Sequence, residues 1–189
     1  LFTVGDNNMQ DTDVARVLRV VDGQTVSITS GDLMLGDVIQ TILRWDTVNA
    51  GQISDSLSAP YQFTAYSELR VDTITPVGGG SPLFDITFVA TDSANMQTAG
   101  SLVDFYERTS AAQPSWDLST DPDTGVSNVL GQTFLASIGY AEAQDFWASQ
   151  APLDLTAIAN APQGSPQAGQ ATFGLSLLAN PGNLPVANL

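Results

Sequence analysis

The chain has no cysteine, no histidine and no lysine. Without cysteine there is no disulfide framework, no thiolate nucleophile and no cysteine-bound metal. Without histidine or lysine, a serine or threonine nucleophile has only a carboxylate or the α-amine as its base, which excludes triad hydrolysis. Bases are scarce as well: five arginines (Arg16, Arg19, Arg44, Arg70, Arg108) face twenty acids, for a formal net charge of −15. A field of that sign repels phosphate backbones and anionic lipid, so nucleic acid is excluded as a partner. No apolar run approaches the roughly 18 to 20 residues that span a bilayer, so no membrane span is expected. A basic stretch followed by an apolar one is missing at the start, where Leu1 stands. We therefore expect a mature chain from which an export signal has been removed. Gly78-Gly79-Gly80 leads into Ser81-Pro82 and a β-prone run. It is thus a loop and not a phosphate cradle opening a helix.

What is present favours strands. The acids are seventeen aspartates and three glutamates, a skew towards turns and oxygen-ligand sites and away from exposed helices. It suits a β-protein outside the cell, although a lysine-free acidic surface also suits high salt. The 189 residues predict one β-rich domain over 1–189, with an N-terminal arm at 1–13 and a C-terminal tail at 180–189. Residues 14–28 place two β-prone runs around Asp22-Gly23, a strong hairpin signal. Residues 33–45 read as a strand preceded by Gly-Asp turns, and 61–75, 83–90, 102–108 and 134–140 as further strands. Residues 110–128 read as a long surface loop anchored by Trp116. The favourable helix formers at 141–144 and the stop at Pro152 predict a helix over 141–150, with a second short turn at 153–159. Residues 161–169 read as a linker and 171–178 as a last apolar strand. The expected fold class is mainly β: an antiparallel sandwich or curled sheet with one or two short helices.

Calcium is the ligand the sequence suits best. Asp6, Asp11 and Asp13 crowd the start of the chain and Asp117, Asp121 and Asp123 crowd the long loop, offering hard oxygen ligands at short spacing but not at EF-hand spacing. Asx-turns and solvated acids are the bland reading of the same residues. Tyr61, Tyr66, Tyr106, Trp116, Tyr140 and Trp147 would make a glycan-stacking shelf if several shared an exposed face, and core residues otherwise. Glu68, Glu107 and Glu142 leave a carboxylate-pair hydrolase formally open. Its bland counterpart places Glu68 and Glu107 on solvent-facing strand positions beside Arg70 and Arg108. Assembly has two candidate segments: Leu1, Phe2 and Val4 at one end, and Phe173, Leu175 and Leu177 in the last strand, each able to complete a neighbour's sheet.

Three stretches carry a family resemblance: G-D-L-M-L-G-D-V-I-Q-T-I-L-R-W at 31–45, the run over 140–150 containing Asp145-Phe146-Trp147, and T-F-G-L-S-L-L at 172–178. Their order resembles that of exported bacterial proteins carrying a PEP-CTERM sorting tail, in which an early strand after a Gly-Asp turn, a late D-x-W or D-F-W helix and an F-G-L strand recur. The sequence contains no Pro-Glu-Pro motif. The resemblance implies export to the cell surface or extracellular matrix and carries no catalytic residue. Together these readings predict an extracellular structural or surface protein and not an enzyme. It would be a homo-oligomer or polymer joined by strand exchange, or alternatively a calcium-supported module that binds glycans or mediates adhesion.

Overall fold

The structure, a computed structural model, describes residues 9–48, 61–117, 119–159 and 170–183. The fold is mainly β and antiparallel, with two short helices among the described residues. Strands β1 (Met9–Val21) and β2 (Gln24–Ile28) form the hairpin read at 14–28. Its turn is Asp22-Gly23 with φ of 53° and 79°, the left-handed pair that lets a two-residue turn follow the strand twist. β1 also takes in residues 9–13, read from the sequence as part of an arm. β3 (Val38–Val48) follows a tight turn in which the Asp37 carboxylate accepts the Met34 N–H at 2.8 Å.

The long strand β4 (Gln62–Pro76) organises the rest. β3 lies along one of its edges, from Arg44↔Thr64 to Val38↔Arg70. The other edge is shared: β6 (Ser101–Arg108) pairs with residues 62–67 of β4, and β5 (Phe84–Ala90) with residues 69–76. Two arms therefore leave β4. One runs through β6 and β7 (Thr133–Gly139), the other through β5 and β8 (Phe146–Ala151). β9 (Gln170–Gly174) closes the second arm and β10 (Ser176–Ala179) the first. Only Leu175 separates β9 from β10, so the two arms are rejoined by one short stretch of chain.

Alternation along β4 splits its side chains between two cores, as a period of two requires. Ala65, Leu69 and Val71 join Leu33, Ile86, Phe88, Leu102, Val103 and Ala151, with Leu175 packed against them. Tyr66 turns the other way, into a cluster with Ile42, Tyr106, Trp116, Val126 and Val129. Each large side chain buried there contributes about 1.5–3 kcal/mol relative to exposure. The second cluster is roofed by helix α1 (Pro122–Leu130).

The stretch read as one strand at 171–178 is divided between β9 and β10, and two further segments differ in kind from the sequence expectation. The end of the loop read at 110–128, from Pro122 on, is α1: Asp121 caps it by accepting the Thr124 N–H, Pro122 opens it, and Gly131 ends it. Its Thr, Ser, Asn and Gly are weak helix formers; burial of Val126 and Val129 on the sheet decides. Conversely, 141–150 is not a helix. The Asp145 carboxylate accepts the N–H groups of Ala141 at 2.7 Å and Glu142 at 2.8 Å, folding 141–145 into a turn. Phe146-Trp147 then opens β8, paired with Gly174 and Phe173 of β9, in a strand setting that favours aromatic side chains; from Ala148 onward β8 is paired by β5 as well. Helix α2 (Leu155–Ala159) matches the short turn read at 153–159. Residues 161–169 and 184–189, the linker and most of the tail, lie outside the described residues.

Candidate functional site

The acids singled out for calcium are dispersed onto local partners. The Asp117 carboxylate accepts the Ser119 N–H at 2.8 Å and the Ser119 hydroxyl. Those bonds hold its pKa below the ordinary aspartate value. Asp121 is likewise lowered by Thr124, whose N–H it caps at 3.0 Å. Asp123 pairs with Arg16 at 2.7 Å, and Asp13 stands on β1 opposite Leu43. Asp6 and the Asp11 side chain lie outside the described residues. Among the described residues no three carboxylates gather closely enough to hold a metal.

The aromatic residues do not share an exposed face. Tyr66, Tyr106 and Trp116 are interior. Tyr140 and Trp147 are half-buried, and Tyr61 is exposed. Trp147 stacks on Phe173 across the β8–β9 pair, with ring centroids 4.8 Å apart.

A polar network that sequence reading missed lies beneath the connection from β5 to β6. Glu68, read as solvent-facing beside Arg70, is only 4% exposed. Its carboxylate accepts from Tyr66, from Gln40 at 3.1 Å, Thr91 at 2.8 Å, Ser93 at 3.2 Å and Asn95 at 3.4 Å. Burial pushes its pKa up, but the bonds from Tyr66, Thr91, Gln40 and Ser93 outweigh burial and leave it below the ordinary glutamate value. Asp104, fully buried, accepts the Gln97 N–H and the Ser137 hydroxyl, each at 2.6 Å. Burial prevails there and its pKa is raised, with the charge of Glu68 adding to the shift. The two carboxylates clamp the strap over 91–98 by its two halves, and the strap covers both. Both carboxylates are interior and hydrogen-bonded, and they tie the strap to β4 and β6. The signal available in sequence was Tyr66-x-Glu68 on one strand face, with Gln40 falling opposite once the register of β3 and β4 is known. Of the other glutamates, Glu107 is half-buried and Glu142 exposed. Arg108 donates to the Gln113 carbonyl at 2.9 Å.

One open pocket of about 300 Å³ lies beside the β1–β2 hairpin, lined by Arg19, Val20, Met34, Leu35, Gly36 and Asp37. Its one carboxylate, Asp37, is occupied by Arg19 through bonds of 2.7 and 2.6 Å. It holds no acid pair.

The sheet edges are the remaining feature. β2, β9 and β10 each pair on one side only within the described residues. Their sequences, QTVSI, QATFG and SLLA, contain neither a charged residue nor a proline. No charged residue at all occurs from 155 to 189. Phe173 is 54% exposed and Leu177 partly so, but both sit on strands already paired within the chain, and Leu175 is packed in its core. Leu1, Phe2 and Val4 lie outside the described residues. No family model, curated protein or solved structure matches the chain.

Proposed function

We propose that the protein is an extracellular structural component, of a cell surface or matrix, whose copies associate through their sheet edges. The observation that carries this is that, among the described residues, those edges are unpaired on one side and hold no charged residue or proline. Proteins that remain single copies blunt an open strand with lysine, inward charge, proline or a covering loop. In a chain with twenty acids, β2, β9 and β10 have none. The resemblance to exported proteins agrees in location. Residues 171–178 are engaged in their own sheet, so strand exchange, where it operates, would draw on Leu1, Phe2 and Val4. A calcium-supported glycan-binding module has less support, because the aromatics it would need are largely interior.

The test is negative-stain electron microscopy with sedimentation velocity, run with and without a calcium chelator. Filaments, sheets or discrete oligomers are expected, and their loss on chelation would place calcium at the contact. Single-copy particles under both conditions would remove the reading.

A further inference from the structure

We infer that β2 is a self-complementary docking strand, joining a second copy of this chain in antiparallel register centred on Val26. This rests on the assembly reading above and assigns it an edge and a geometry. In a two-residue hairpin the pair that closes the turn exchanges both backbone bonds, and hydrogen-bonded and non-bonded pairs then alternate. The closing pair is Val21↔Gln24, followed by Val20↔Thr25 and Arg19↔Val26. Gln24, Val26 and Ile28 thus direct their backbone groups at β1, while Thr25 and Ser27 direct theirs at the open edge.

Two copies related by a twofold axis at Val26 set Thr25 against Ser27 twice. Each of those pairs exchanges both backbone bonds and brings two hydroxyls together, a favoured cross-strand pairing. Val26 then meets Val26 as a non-bonded pair, the type in which side chains approach most closely. This is an isologous contact of the kind most soluble dimers use.

Charge selects the occupant. Two copies at −15 repel over most of their surface, but no charge occurs from Gly23 to Gly31. The nearby Arg19 is held by Asp37. A basic partner would gain nothing from such a strand, whereas two acidic copies can share it. Exposed Val21, paired with Gln24 and so on the same face as Val26, extends the apolar contact, whereas Val20 lies on the other face.

The absence of native cysteine makes the test direct. At a non-bonded antiparallel pair the Cα atoms lie about 4.5 Å apart, within disulfide reach of about 4.4–6.8 Å. Val26→Cys should oxidise to a covalent dimer at least about tenfold faster than Val20→Cys, because only the former holds its thiols at high effective concentration. Val20 is the more exposed of the two, at 69% against 37%, so exposure alone predicts the reverse. Ser27→Pro removes an outward N–H without touching the β1 ladder; it should abolish association while circular dichroism and Tm show the fold retained. Equal cross-linking rates, or association unchanged by Ser27→Pro, in a wild type that assembles would overturn this assignment and leave the assembly reading standing. Loss of assembly on deleting residues 1–8, with Val26→Cys failing to cross-link, would replace it with strand exchange. A wild type that sediments as a single copy would overturn both.

Discussion

Glu68 receives five donors from Tyr66, Gln40, Thr91, Ser93 and Asn95 while almost fully buried, so its replacement strands buried groups. Glu68→Ala should destabilise the fold by about 3 kcal/mol or more, since each buried donor left without a partner costs about 1–3 kcal/mol; urea unfolding measures it. The pH dependence has a definite sign. The folded-state pKa of Glu68 lies below 4.5, so its contribution is fully present above that value and is lost as pH falls through the folded value. Asp104 is raised above 3.8; its contribution is present below that value and is lost as pH rises through its folded pKa. Glu68→Gln should therefore remove the acid-side loss and leave the opposite slope of Asp104, read from urea midpoints between pH 3 and 7 on the approximate scale these carboxyls span. Neither residue was identifiable from sequence. A glutamate between Ser67 and Leu69 on a strand reads as outward-facing until the strap over 91–98 is known to cover it.

At the scale of elements, α1 shows packing overriding propensity. Gly125 sits in the helix, where alanine is favoured by about 1 kcal/mol. A Cβ there would stand 2.9 Å from Trp116 Nε1 and 3.1 Å from Ile42 Cδ1, both interior. Overpacking of that kind costs about 1–3 kcal/mol, so Gly125→Ala should lower Tm despite its better helix propensity. The turn at 141–145 depends on one carboxylate, whose pKa is lowered by the N–H groups of Ala141 and Glu142. Asp145→Ala should lower Tm through loss of the charge-assisted bonds to Ala141 and Glu142. Accelerated amide exchange at Ala141 and Glu142 would locate the effect. The hairpin turn was legible in Asp22-Gly23 because its conformation is set by two residues alone. β8 was not, because Ala141 to Gln144 favour helix locally and only pairing with the distant β9 draws Phe146 and Trp147 into a ladder.

For the whole molecule, charge and edges oppose one another. Like charge keeps copies apart, and the screening length falls from about 10 Å at 0.1 M to about 3 Å at 1 M salt. Association through uncharged strands should therefore strengthen with ionic strength, whereas contact through ion pairs would weaken; sedimentation velocity across that range distinguishes them. The sequence by itself determined the net charge, the loss of histidine, lysine and cysteine chemistry, the mainly β class and most strand positions, because composition and period-two alternation are local properties. The tertiary structure alone decided which acids are interior, that residues 171–178 close the two arms of their own sheet, and which strands remain as edges. Pairing partners far apart in the chain set those outcomes: Glu68 is enclosed only when β3, β6 and the strap converge on β4, and an edge exists only where no such partner arrives.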